Sequence, residues 1–150
     1  MKKNIRIRPS AIDDSPVIRD LLQQLGYALT AEQISGKIGV FARREGHHTF
    51  VAEIDGCVAG FMSLHIIEWF HRPDRTARLS ALVIDRQYRG AGIGRALMQF
   101  AEDKAVQSGC ANMELTSSLH RKAEGTYDFY TSLGYLNAND QTSYFRKTLT

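Results

Sequence analysis

Ala81-Leu82-Val83-Ile84, then Arg89-Gly90-Ala91-Gly92-Ile93-Gly94, then Arg95-Ala96-Leu97-Met98-Gln99-Phe100-Ala101 is the stretch that decides the fold. It reads as an apolar strand, a glycine-rich turn and a helix. The first N–H groups of a helix have no intrahelical partner, and the helix dipole is positive there, so that end suits a phosphate. Glycines turn the chain tightly and remove Cβ atoms that would hold an anion away. Arg89 adds a fixed charge and a forked set of donors. A tight turn that binds nothing is the plainer alternative. A Walker loop is excluded, because Gly94 is followed by Arg95 and Ala96 instead of Lys and Ser or Thr. A dinucleotide fingerprint needs a third glycine where Leu97 stands.

The spacing Arg-x-x-Gly-x-Gly of Arg89, Gly92 and Gly94 resembles the acetyl-coenzyme A signature of the GNAT family of N-acetyltransferases. Leu82-Val83-Ile84 stands where that family has Leu-x-Val. Phe129-Tyr130-Thr131-Ser132-Leu133-Gly134-Tyr135 looks like its Phe-Tyr-x-x-Leu-Gly-Tyr segment, Glu114-Leu115-Thr116-Ser117 like its fifth strand, and Phe145-Arg146-Lys147-Thr148-Leu149 like its closing strand.

At 150 residues, the chain is expected to be one domain, residues 1–150, burying roughly 70% of its extended surface. A net charge of +3 is mildly basic, and the Arg and Lys residues are scattered; nucleic acid is not an expected partner. No run approaches a membrane span, and Met1-Lys2-Lys3-Asn4-Ile5-Arg6 has charge but no apolar stretch after it, so a cytoplasmic location is expected. Cys57 and Cys110 are too few for a disulfide framework and read as small core residues.

Along the chain, Ile5-Arg6-Ile7-Arg8 alternates as a half-buried strand ending at Pro9. Asp13 or Asp14 can cap a helix that Gly26 stops. Thr30 can cap a second over 31–44, ended by Gly46. Residues 49–54 and 57–67 form strands joined by Asp55-Gly56, a hairpin signal. A strand follows at 77–84, then the helix after Gly92, closed by Gly109. A strand at 112–117, a helix at 123–132 and strands at 135–136 and 143–149 complete the expectation. The implied fold is three-layer α/β/α, with a mixed, mostly antiparallel sheet. In the family it resembles, the fourth and fifth strands splay apart to leave a cofactor cleft.

The resemblance implies acetyl-coenzyme A as cosubstrate. Its pantetheine would lie along Leu82, Val83 and Ile84. Its pyrophosphate would sit on Arg89, Gly90, Ala91, Gly92, Ile93, Gly94 and Arg95. Acetyl would pass to a primary amine of a small molecule by direct attack, through a tetrahedral intermediate. Tyr130 matches the family tyrosine that protonates the leaving thiolate, with Tyr127 one turn earlier as fallback; Tyr135 reads as core. A homodimer is implied as possible. A non-catalytic acyl-coenzyme A sensor is the alternative.

The chain departs from the family twice. Many members carry a glutamate base on the fourth strand near Ser80 or Ala81, and neither position here is acidic. Deprotonation through a water chain and an amine that arrives neutral are two openings; Glu68, His71 and Glu114 are the candidate bases, with His65 in the region of the first two. His65, Glu68, His71 and Asp74 match no helical His-x-x-x-His spacing, and no metal is expected. The segment between Arg121 and Phe129 is about two residues longer than relatives reading Arg-x-x-Ala-His-x-Phe-Tyr, which bears on Ser117, Ser118 and Arg121. The first 45 residues and the loop near Trp69 are expected to shape the acceptor side.

Overall fold

The Asp55-Gly56 signal produces the turn it promises. Both residues have positive φ, 51° and 81°. They form a two-residue loop between the paired residues Ile54 and Cys57. This turn type twists with the flanking strands, which is why Asp-Gly favours it. In the computed structural model, which describes residues 4–117 and 119–150, the hairpin joins β2 (His47–Ile54) to β3 (Cys57–Glu68). The expectations placed on Met1, Lys2, Lys3 and Ser118 lie outside the described residues.

The chain divides into two compact units, Met1–Thr116 and Ser117–Thr150. In the first, β1 (Ile5–Pro9), β2, β3, β4 (Arg75–Ile84) and β5 (Cys110–Leu115) form one sheet in sequence order. β1 to β4 pair antiparallel; β4 and β5 pair parallel. Helices α1 (Ser15–Leu25) and α2 (Ala31–Arg43) bury Ile18, Leu21, Leu22, Ile34 and Ile38 against Val51, Phe61 and Val83. Helix α3 (Ile93–Gln107) packs on the sheet through Ile93 and Leu97, which approach Gly60 so closely that a Cβ there would stand 3.2 Å from each. Each fully buried aliphatic side chain in these layers contributes roughly 1.5–3 kcal/mol.

Capping follows the local signals. Thr30 and Gln33 exchange bonds across the first turn of α2. Gly26 ends α1 in the left-handed region. Asp14 stands at the N-cap of α1, but its carboxylate does not cap. It accepts two bonds from the Arg8 guanidinium, at 2.8 and 2.9 Å, and one from the Ala11 N–H at 2.7 Å. Arg8 also reaches Glu53 at 2.7 Å, tying β1, β2 and the start of α1 together.

Four expectations are corrected. The second helix ends at Arg43, before Gly46 is reached. Cys57 is exposed, because it is the first residue after the hairpin turn and not yet under a helix. In the C-terminal unit, α4 spans Thr126–Ser132 and does not begin at 123; a 3-10 turn, Leu119–Glu124, precedes it, and Gly125 breaks between them with φ 80°. Residues 135–136 and 143–149 form no strand. Tyr144, Phe145 and Leu149 stand exposed. An alternating pattern supplies a face, but a strand also requires a neighbouring ladder, and that requirement is not local.

Candidate active site

The strand–turn–helix forms as its sequence proposes. β4 ends at Ile84, and the Asp85 carboxylate holds a short turn, Arg86–Tyr88, by accepting from the Gln87 N–H at 2.9 Å. Gly90 and Gly92 follow with φ 80° and 84°. Side chains strain in that region, so glycine suits both positions. Gly92 is the N-cap of α3, without a side-chain cap. The first bond linking the cap to the helix runs from the Ala96 N–H to the Gly92 carbonyl, 3.0 Å. The N–H groups of Ile93, Gly94 and Arg95 therefore have no partner within the helix. Among the described residues, apart from the glycines' own chain neighbours, no heavy atom stands within 4 Å of where a Cβ on Gly90 or Gly92 would be, so both positions have room beside them. Arg89 and Arg95 are exposed beside it, while the Ile93 side chain is buried in the core and leaves only its backbone for a ligand. This arrangement fits a pyrophosphate.

The strand before the turn has an open edge. On one side, Ala81, Leu82, Val83 and Ile84 pair with Ser63, Met62, Phe61 and Gly60. On the other side, the last pair with β5 is Leu79 with Leu115. Residues 80–84 thus carry no β5 partner, and their backbone groups are available to an extended ligand in the manner of an added strand.

Ser80 marks where the two strands part. Ser63 pairs with Ala81 and Leu64 with Leu79, so Ser80 is an extra residue in the ladder, a bulge. The bulge changes which side chains share a face. Arg78 and Val83 are an odd number of residues apart and would otherwise point to opposite sides. With it, both belong to the face under α1 and α2.

A polar row crosses that face. His47 pairs with His65, His65 with Arg78, and Arg78 with Glu114, one residue from each of β2, β3, β4 and β5. The His47 and His65 Nδ1 atoms lie 2.8 Å apart. His65 Nε2 lies 2.6 Å from the Ser80 hydroxyl and 3.4 Å from that of Ser63. Arg78 donates to Glu114 at 2.8 Å. The Phe41 ring of α2 packs against both imidazoles, with centroids 5.1 and 5.8 Å away. Burial holds the His65 imidazole below the ordinary histidine range, and the charges of His47, Arg78 and His48 push the same way.

The base candidates separate. Glu114 is tied to Arg78, and Glu68 lies 3.4 Å from Arg75. His71 is exposed against the Trp69 ring. Trp69 itself is anchored by its indole N–H, which donates to the Thr76 hydroxyl at 2.8 Å. His65 was placed only by region in the sequence. The signal that picks it out is the broken alternation of β4 at Ser80, which sets Ser80 and His65 together.

In the C-terminal unit, Tyr130 lies on α4 between the rings of Phe129 and Tyr135, at 5.2 and 6.1 Å. Burial raises its phenol above the ordinary tyrosine range, and Arg121 partly offsets this. The Tyr127 hydroxyl donates to the Ser117 carbonyl at 3.4 Å. Arg121 pairs loosely with Glu124 at 3.9 Å.

The chain resembles known proteins along most of its length. An aminoalkylphosphonate N-acetyltransferase of Salmonella typhimurium is 30% identical over 131 residues, covering 81% of this chain and 80% of the relative. A glucosamine 6-phosphate N-acetyltransferase of Trypanosoma brucei brucei is 33% identical over 121 residues, covering 76% and 79%. The crystal structure of glucosamine-6-phosphate N-acetyltransferase from Arabidopsis thaliana superposes with a TM-score of 0.79 at 23% identity, over 98% of this chain and 99% of that one, and shares its fold. The profile of the acetyltransferase (GNAT) family matches residues 16–135. With its mixed sheet, its glycine turn on α3 and its open β4 edge, the chain belongs to the GNAT family and is an acetyl-coenzyme A-dependent N-acetyltransferase.

Proposed function

We propose that the enzyme acetylates the primary amine of a small molecule by direct attack on the thioester, within one domain spanning residues 1–150. The observation that carries this is the continuity of the open edge at residues 80–84 with the glycine turn at the N-terminus of α3. Pantetheine pairs with Leu82, Val83 and Ile84, and pyrophosphate takes the backbone N–H groups and side-chain charges from Arg89 to Arg95. The family match runs across the boundary at residue 116, which supports a single functional domain. Among the described residues, no helix is long and apolar enough to cross a membrane. Both thiols are free, which suits a reducing compartment such as the cytoplasm.

The neutral amine attacks the acetyl carbon, and a C–N bond forms. Backbone N–H groups of β4 near the bulge stabilise the oxyanion. The C–S bond then breaks, and the thiolate takes the Tyr130 proton. Tyr130 recovers a proton as the nitrogen loses one to give the neutral amide. A raised phenol pKa keeps Tyr130 protonated at neutral pH, as a general acid requires.

The two relatives act, by name, on amines that carry a phosphonate or a phosphate. Such compounds are the first acceptors to test, beside aminoglycosides, polyamines and peptide N-termini. Coenzyme A release with each reads the outcome, and size-exclusion chromatography reads the homodimer. Release with at least one small amine, accompanied by the N-acetyl product, is expected. Transfer to peptide N-termini alone overturns the small-molecule reading.

A further inference from the structure

We infer that His65 is the general base that takes the proton of the acceptor ammonium, reached through the Ser80 hydroxyl and drained through His47. This rests on the proposed amine acetylation and supplies the base that the fourth strand lacks as a carboxylate.

The geometry sets the proton order. Two imidazole Nδ1 atoms 2.8 Å apart need one N–H and one lone pair between them. The Ser80 hydroxyl, 2.6 Å from His65 Nε2, has a proton to give. If it donates there, His65 carries its own proton on Nδ1 and donates it to His47 Nδ1. His65 Nε2 is then the basic atom, aimed through Ser80. Ser80 is exposed at the bulge, one residue past the last pair between β4 and β5, where an amine approaching the open edge arrives. His47 lines a cavity of about 430 Å³ with Phe41, Gly46, His48, Ile66 and Arg75. The chain of groups thus runs from the open edge to a second opening.

The electrostatics agree. The groups that act on His65 are His47 and His48 of β2 and Arg78 of β4; α2 contributes the Phe41 ring. None is an anion in direct contact, since Glu114 is held by Arg78. His65 is therefore neutral at pH 7 and free to accept. Burial and the Arg78 charge also disfavour a lasting imidazolium on His65, and the Nδ1 lone pair of a neutral His47 gives its proton a way out.

The balance closes. The ammonium gives one proton through Ser80 to His65 Nε2, and His65 passes its Nδ1 proton to His47, which releases a proton to water from Nε2. Before the next turnover His47 Nε2 regains a proton from water, the shared proton returns to His65 Nδ1 and the His65 Nε2 proton leaves through Ser80, which restores both tautomers with no net change. The amine's second proton leaves after attack and replaces the one that Tyr130 gives to the thiolate. The sum is one amide, one thiol and one proton released.

The test is the pH profile of turnover for wild type and His65→Gln, with acetyl-coenzyme A affinity measured separately. The wild-type rate is expected to rise and reach a plateau with an acidic limb set by His65, below the ordinary histidine range. The variant is expected to lose about 10²–10⁴-fold at pH 7. Its rate should then climb tenfold per pH unit with the free amine, its acetyl-coenzyme A affinity should be unchanged, and added imidazole should restore turnover. His47→Gln should displace the acidic limb. A variant that folds and keeps the wild-type limb and rate overturns the base while leaving acetylation intact. A wild type that binds acetyl-coenzyme A but transfers to no amine overturns both. Nitrogen NMR of the unmodified enzyme needs no variant: a neutral His65 protonated on Nδ1 is expected, and one protonated on Nε2 overturns the relay.

Discussion

One face of the sheet is apolar at one end and ionisable at the other. Val51, Phe61 and Val83 pack under α1 and α2. A few residues along β2, β3 and β4 stand His47, His65 and Arg78, on the same face. The strands and the covering layer are shared; only the side chains differ. The apolar end holds the helices down and contributes to folding. The polar end sets partly buried imidazoles against Ser80, the residue at which the open edge of β4 begins. The bulge at Ser80 lets both ends occupy one face of β4.

The largest effect is expected at the apolar end, from Phe61→Ala. A buried phenylalanine lost from the core costs about 3–5 kcal/mol, read as a lower thermal midpoint, whereas substitutions at His65 are expected to act on turnover more than on the midpoint. Equal midpoints for the two would erase the division of labour. Next, Tyr130→Phe is expected to lower turnover about 10²-fold at neutral pH with acetyl-coenzyme A affinity nearly intact; unchanged turnover with chemistry rate-limiting removes Tyr130 from the acid role.

The clasp between Arg8 and Asp14 belongs to the folding end, and Asp14→Ala should destabilise by about 2 kcal/mol. The guanidinium bonds hold the Asp14 carboxyl below its ordinary value. A depressed carboxyl pKa adds stability that is present above the unfolded value, near 3.9, and is lost as pH falls through the folded one. Wild type should therefore lose this increment in acid while the variant shows a flatter decline, measured by urea unfolding against pH. Gly92→Val places a branched side chain at positive φ beside the proposed phosphate. It should weaken acetyl-coenzyme A binding about tenfold, from roughly 1–2 kcal/mol of strain, by calorimetry. The smallest effect is expected at Glu114→Gln. The pair with Arg78 is partly exposed, with side chains 34% and 46% accessible, and is worth about 0.5 kcal/mol.

Much of this was legible in the chain because it is local. Asp55-Gly56 makes its own turn, Thr30 and Gln33 cap their own helix, and the glycines from Gly90 to Gly94 turn the chain into α3 whatever surrounds them. The helix expected from residue 123 begins only at Thr126, because the left-handed conformation of Gly125 ends the preceding turn. The strand expected at 143–149 depended on a partner that its own residues could not supply.

The hairpin, the cap of α2 and the glycine-rich turn before α3 follow from the amino-acid sequence alone, since each rests on dihedral preferences and bonds a few residues long. Only the tertiary structure decided the polar row. His47 and His65 are 18 residues apart, and Arg78 and Glu114 are 36. They meet through the registers of β2 with β3 and of β4 with β5, and the bulge at Ser80 puts His65 and Arg78 on one face with Val83. Register is a property of paired strands, so no single segment contains it.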